Sequence, residues 1–295
     1  MEDSAAARQH EDEEADDSLG FPLSRMIFEG PAGELQNTAN SQPAIMTVSI
    51  AAWRVSRMAR RNMPVASDGA NGTLTAHSLG PQVITALVAA GVLGFPDAVR
   101  LVRRRGELMN QASMSRPGTM AAILGLDEFA LGQVCAETGV ELANINTDNQ
   151  IVISGSRMAV AQAVDLATAR GARKSVPLPV SGAFHSSLMV EAEAGLSAEL
   201  DSLTLHEPRM PIIANCDCRS LNSSQEIPDE LVNGLCRCVQ WKDSVVAMVD
   251  SGITRFVEFG AGGVLAGLIK RIDREVEVSA VADPDSIRKL ALATD

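Results

Sequence analysis

The 295-residue chain has no tyrosine, and its aromatic share is only 3%. Proteins that stack nucleic-acid bases need aromatic platforms, so a nucleic-acid partner is not expected. Apolar residues make up 46% of the chain, yet no apolar run is long enough to span a bilayer, so no membrane partner is expected either. The start lacks a basic segment followed by an apolar stretch. Instead Glu2, Asp3, Glu11, Asp12, Glu13, Glu14, Asp16 and Asp17 stand against Arg8, the opposite of an Arg-rich, acid-poor transit peptide. The default expectation is a cytoplasmic protein, with mitochondrion or plastid as the alternatives if residues precede this start. Much of the net charge of -12 is concentrated here, and residues 1–18 read as a solvated, disordered acidic tail. Five cysteines, an odd number, predict reduced thiols. Cys216-x-Cys218 and Cys236-x-Cys238 are too closely spaced for the usual zinc pattern and lack a nearby histidine. Small buried thiols are the expectation, and no metal.

The length suits one sizeable domain or two unequal ones. Residues 20–60 look helical, interrupted by a loop at Asn37 to Pro43. Gly72 to Ala76 forms a weak strand, and the helix behind it finishes over Ala86 to Gly91. Pro96 and Asp97 open another helix. From Gly118 to about Val180 the pattern changes. MAAILGL reads as a strand, DEFALGQVCAETG as a helix, VELANIN and QIVISG as strands, RMAVAQAVDLATARG as a helix and RKSVPLPV as a last strand. That β-α-β-β-α-β order is the ferredoxin-like signature. Later, ITRFVEFG is a strand, Gly260 to Gly263 a tight turn and VLAGLIKRI a closing helix. Leu265 stands where a dinucleotide-binding turn needs its third glycine, so no nicotinamide cofactor is expected.

Two segments carry the chemistry. In Ala76-His77-Ser78-Leu79-Gly80 a serine flanked by small residues precedes the run VITALVAAG, the pattern of a sharp strand-to-helix turn that exposes a nucleophilic hydroxyl. The amide of Leu79, next to that serine, is placed to donate to an oxyanion. In VSGAFHSSLM, His185 sits among small residues as a mount for the general base. It is favoured by elimination, since His10 lies in the tail, His77 adjoins the serine and His206 sits in a charged loop. A core histidine and an ordinary turn serine remain the plainer alternatives. Arg105 interrupts an apolar stripe made by Ala98, Leu101, Leu108 and Ala112. A buried guanidinium needs an anionic partner, which could be an internal Asp or Glu or a substrate carboxylate.

The segments NTANSQPAIMTVSIA, AHSLG, ALVAAGVLGFPDAVRLVRRRGELM, NINTDNQIVISG, VSGAFHSSLM, VQWKDSV and FVEFGAGGVLAGLIKRI together resemble the malonyl-CoA:acyl-carrier-protein transacylases. Their fold is shared by the acyltransferase domains of fatty-acid and polyketide synthases. The resemblance covers roughly residues 19–272. It implies an α/β chain with an α/β-hydrolase-like large domain bearing a parallel sheet, over residues 19–116 and 181–295, and an inserted ferredoxin-like subdomain over 117–180. It also implies malonyl transfer from malonyl-CoA to the pantetheine thiol of acyl carrier protein, with no cofactor and a monomeric chain. Ser78 would be the nucleophile and His185 its base, oriented by a backbone carbonyl from a position that matches Gly234, where the family has glutamine. Arg105 would grip the free malonyl carboxylate, and Phe184 would crowd the α-carbon. Gln150 and Asn144 fit the N-x-N-x-x-x-Q segment, which reads mainly as structural, with Gln150 also a candidate for substrate binding. Ala76 and Pro81 stand where the family has glycine and usually glutamate. Residues 1–17 carry no strand and G-Q-G-S-Q loop of the family type, whose glutamine supplies a second oxyanion amide. A weakened or non-catalytic relative is therefore one competing expectation, and a serine hydrolase or thioesterase the other.

Overall fold

The computed structural model describes residues 12–61 and 82–292. The expected strand over Gly72–Ala76 and the turn with Ser78, Leu79 and Pro81 lie outside the described residues. Residues 12–19 are helical (α1), which corrects the expectation of disorder over residues 12–18, while residues 1–11 of the expected tail lie outside the described residues. Ala15 is fully buried, and Leu19, one turn on, packs against the same core. The acids beside them have partners: Glu14 meets Arg54 at 3.0 Å, while Asp16 accepts from the Ser24 amide at 2.8 Å and its hydroxyl at 2.5 Å. Short helices α2 (Leu23–Glu29) and α3 (Ala32–Leu35) follow.

The loop expected at Asn37–Pro43 is instead the first turn and a half of α4 (Thr38–Arg61). Asn37 starts it by accepting from the Ala39 amide at 3.0 Å, as an N-terminal cap does. Pro43 has no N–H for the Ala39 carbonyl. Arg103 supplies the missing donor, its Nη1 3.1 Å from that oxygen. A neighbouring helix thus satisfies the bond that the proline removes. That neighbour is α6 (Phe95–Ser115), which opens with Pro96 and Asp97 as expected and packs along α4 after α5 (Gln82–Ala89). Met46 and Ile50 of α4, Leu87 of α5 and Leu101 and Met109 of α6 form the middle of the largest core cluster.

The chain then builds β1 (Gly118–Leu124), α7 (Glu128–Thr138), β2 (Glu141–Thr147), β3 (Gln150–Ser156), α8 (Arg157–Ala169) and β4 (Lys174–Pro177). The strands make a four-stranded sheet in the order β2-β3-β1-β4, every neighbour antiparallel. Asp127 caps α7 and Ser156 caps α8. The last strand stops at Pro177 rather than Val180, because Pro177 and Pro179 offer no N–H to a ladder. Both helices pack on one face with Ile123, Leu131, Ile151 and Ile153. The other face, bearing Met120, Ala122 and Val152, meets Phe184.

After a 3-10 turn at Ser187–Ala192 come α9 (Glu193–Asp201), the short antiparallel pair β5 (Ile212–Ile213) and β6 (Ser220–Leu221), α10 (Ile227–Cys236) and α11 (Trp241–Asp250). β7 (Arg255–Phe259), α12 (Val264–Ile272) and β8 (Glu277–Val281) make a parallel βαβ unit, and α13 (Pro284–Leu292) closes the described chain. The glycine turn before α12 already has an occupant: the Glu258 carboxylate accepts from the amides of Leu265 at 3.3 Å and Ala266 at 2.8 Å. The chain is therefore an α/β protein. Among the described residues no helix is long and apolar enough to cross a membrane.

Close approach of α4 and α6 depends on Gly106. A Cβ there would lie 2.7 Å from both the Ala39 Cα and the Thr38 carbonyl, backbone atoms that cannot swing aside. Gly106→Ala should cost about 1–3 kcal/mol in urea denaturation. Gly132→Ala in α7, where a Cβ meets nothing within 4 Å, should instead be neutral or stabilising by up to about 1 kcal/mol.

Candidate active site

His185 occupies a backbone conformation that its residue type resists. Its φ is +55°, in the left-handed region where a side chain is strained. Neighbouring contacts hold it there. The buried Ser186 hydroxyl donates to the Ala183 carbonyl at 2.6 Å, and the Glu141 carboxylate accepts from the Ser187 amide and hydroxyl at 3.0 and 2.7 Å. Gly182 is required because a Cβ would stand 1.9 Å from the Ser113 hydroxyl oxygen. So anchored, the imidazole places Nδ1 2.9 Å from the Gly234 carbonyl. A carbonyl only accepts, so the ring proton resides on Nδ1 and Nε2 keeps its lone pair. Gly234 lies in the last turn of α10, where helix carbonyls have no partner of their own.

Arg105 projects from the buried side of α6 and is 5% exposed. Its Nη1 donates to Gln42 Oε1 at 2.7 Å, and Gln42 in turn donates to Thr38 Oγ1 at 2.7 Å. The other arginines of this helix have carboxylates: Arg100 has Asp97, Arg103 has Glu107, and Arg104 has Glu107 and Glu199. Arg105 has none among the described residues. The internal salt bridge left open by the sequence is therefore not observed there. Burial pushes its pKa down to about 10, which leaves it charged at neutral pH.

Arg105 and His185 line one cavity, together with Ile84 of α5, Asn215, and Glu230 and Gly234 of α10. Burial, followed by the positive charge of Arg105, pushes the His185 pKa down to about 4, against the opposing pull of the Gly234 and Arg237 backbone. The ring is a neutral base at pH 7. Glu230 is also buried, its Oε1 accepting from the Asn215 and Cys216 amides at 2.6 and 3.3 Å. Burial raises its pKa.

Of the other candidates, Phe184 is half-buried between the large core and the helix-free face of the small sheet, directly before His185. Ser78 and Leu79 lie outside the described residues, although the cavity wall at Val83 and Ile84 follows them closely in sequence. Gln150 is not part of this group. Its Oε1 accepts from Arg271 at 3.0 Å in an exposed contact, so the structure gives it a bridging role between β3 and α12. Asn144 is buried on β2, and its Nδ2 has no hydrogen-bond partner among the described residues. Sequence reasoning missed Gln42 and Glu230. Both are polar residues set inside apolar helix faces, the same signal that exposed Arg105. The cysteine pairs are free thiols, and burial raises the pKa of Cys216, Cys218, Cys236 and Cys238. Among the described residues no group of His, Cys, Asp and Glu side chains is arranged to hold a metal ion.

Comparison with known proteins gives one consistent result. The acyl transferase domain family matches residues 1–288, a range that takes in the acidic segment expected to fall outside the family pattern. The chain is 42% identical over 288 residues to the malonyl CoA-acyl carrier protein transacylase of Bacillus subtilis, covering 96% of this chain and 87% of that one. It is 39% identical over 278 residues to the enzyme of the same name from Escherichia coli O157:H7, covering 93% and 87%. Among solved structures, an acyl-carrier-protein S-malonyltransferase from Bartonella henselae superposes with a TM-score of 0.90 at 35% identity, covering 98% of this chain and 91% of that one. A type II PKS acyl-carrier protein in complex with its malonyl-transacylase gives 0.90 at 34% identity, covering 98% and 92%.

The low pKa of His185 has a consequence for stability. Below its ordinary value of 6.5 the unfolded chain binds a proton that the folded ring refuses until about pH 4. Stability present at neutral pH is therefore lost as pH falls through that window, by on the order of 3 kcal/mol from this group. Urea midpoints measured down this range should fall more steeply for the parent than for His185→Gln. Parallel slopes would show that folding does not perturb the ring.

Proposed function

This chain belongs to the acyl transferase domain family, and on that premise we propose which of its residues perform the reaction. The protein is an acyl-carrier-protein S-malonyltransferase of fatty-acid synthesis. It moves a malonyl group from malonyl-CoA to the pantetheine thiol of acyl carrier protein through an acyl-serine.

Ser78 is the nucleophile. Its hydroxyl proton passes to Nε2 of His185 as Oγ bonds to the thioester carbonyl carbon. The amide of Leu79 donates to the developing oxyanion. The C–S bond then breaks, and coenzyme A leaves as a thiol with the proton from His185. In the second half the carrier's pantetheine thiol gives its proton to His185 and attacks the acyl-serine. The ester C–O bond breaks, and Ser78 recovers the proton. His185 can serve in both directions because the Gly234 carbonyl holds its tautomer.

Arg105 takes the free carboxylate of the malonyl group, and Phe184 limits what can be attached to the α-carbon. The observation that carries this reading is a buried guanidinium beside the base with no carboxylate of its own among the described residues. A serine hydrolase would have no use for it. The chemistry needs no cofactor beyond the thioester itself. Residues 117–180 read as a ferredoxin-like subdomain, supported by the antiparallel order β4-β1-β3-β2. Residues 19–116 and 181–295 read as an α/β-hydrolase-like domain. A monomer in the cytoplasm is the arrangement we propose.

Mixing the protein with malonyl-CoA should add one malonyl group to its intact mass, and Ser78→Ala should abolish the adduct. An adduct that persists in Ser78→Ala would remove Ser78 from its role. Arg105→Ala should lower the preference for malonyl over acetyl transfer by roughly tenfold or more, as expected for a charge-assisted contact of about 1.5–3 kcal/mol. An unchanged preference in a folded variant would remove Arg105 from the binding of the carboxylate.

A further inference from the structure

Arg105 and His185 together pose an electrostatic problem. To accept the serine proton the ring must become an imidazolium, which places a second positive charge in a cavity that already holds a buried guanidinium. Gln42, the side chain that holds Arg105, is neutral. Glu230 is the one carboxylate among the described residues that line the cavity. Its Oε1 is committed to the Asn215 and Cys216 amides. The Cys216 thiol beside it stays protonated, and Arg237, at the end of α10, adds positive rather than negative charge. Glu141 is spent on the Ser187 amide and hydroxyl, and among the described residues the charge that acts on His185 is that of Arg105, with neither Glu230 nor Glu141 offsetting it.

We propose that the free carboxylate of the acyl group supplies the missing anion: seated on Arg105, it cancels the guanidinium field and makes His185 a better proton acceptor. The inference rests on the roles given above to Arg105 and His185, and it deepens them. Arg105 then acts twice, once in holding the substrate and once in gating the base. An acetyl group has no carboxylate, so it leaves the guanidinium uncompensated. Its transfer is slow even at saturation, and selection appears in kcat as well as in KM. The depressed pKa of His185, with Arg105 its second cause after burial, is the state expected before substrate arrives.

The test uses Ser78→Ala protein, which cannot be acylated, with labelled histidine followed by NMR and the His185 signal assigned through His185→Gln. Titrations are run without ligand, with saturating malonyl-CoA and with saturating acetyl-CoA, so that the coenzyme A charges are common to both complexes. Malonyl-CoA should make His185 titrate about one to three pH units higher than in the free protein, the usual effect of compensating a nearby charge. Acetyl-CoA should leave it near its free value. Arg105→Met in the same background should raise it without ligand and abolish any further response. Equal displacement by both ligands, or none with malonyl-CoA, overturns the proposal. Affinity for malonyl-CoA, read from the same samples, separates the two levels. If Arg105→Met binds it as tightly as the parent, the assignment of Arg105 itself is wrong. If affinity falls but the histidine does not respond in the parent, only the gating is wrong. Should Arg105→Met fail to fold, the two ligands in the Ser78→Ala protein still decide.

Discussion

Burying Arg105 takes a guanidinium out of water, and much of the surrounding structure exists to make that tolerable. A neutral amide, Gln42, reaches its Nη1. For Gln42 to be there, α4 must begin as early as Thr38 and run through Pro43. That early start depends on a cap from Asn37 and on Arg103, which takes up the carbonyl that Pro43 leaves without a donor. Gly106, next to Arg105 in sequence, lets the two helix backbones approach closely enough for these contacts. Hydrogen bonding satisfies some of the arginine's donors but leaves its charge uncompensated among the described residues. A buried charge in that condition is costly to the protein alone, and the proposed malonyl carboxylate would supply the anion that it lacks.

The proposed base is held by a different device. His185 sits at positive φ in a loop tied down by Ser186 and Ser187, so local hydrogen bonds offset the backbone strain. The end of α10 then supplies a carbonyl with no helical partner. Only a main-chain group is needed, which is why Gly234 can stand where the resembled family has glutamine. A Cβ at Gly234 would meet nothing within 4 Å, so the position demands glycine neither for space nor for a left-handed backbone. Phe184 links this loop to the small sheet, because it packs on the sheet face that carries no helices. The two halves of the molecule therefore meet beside the base.

The order of elements from Gly118 onward was legible in the sequence because each strand and helix there has its own apolar period, bounded by caps and turns such as Asp127, Gly139 and Ser156. Arg105 was legible for a related reason: a charge set into an apolar stripe is visible in one dimension. Gln42 and Glu230 carried the same kind of mark on shorter and less regular stripes. The loop expected at Asn37–Pro43 and the disorder expected over residues 12–18 went wrong for one shared reason. Proline and acidic runs are local signals, and in both places partners from distant segments, Arg103 and Arg54, supplied what the local chain lacked.

The sequence by itself therefore determined the family and the element order from Gly118 to Pro177, and it supplied the candidates for the chemistry, because residue types and spacings are properties of the chain alone. Tertiary structure decided that Arg105 has Gln42 and no carboxylate among the described residues, that the His185 proton resides on Nδ1, and that Gln150 bridges to Arg271 away from the base. These outcomes turn on which groups from separated segments come within hydrogen-bond reach in a low-dielectric interior. No single stretch of the chain encodes that distance.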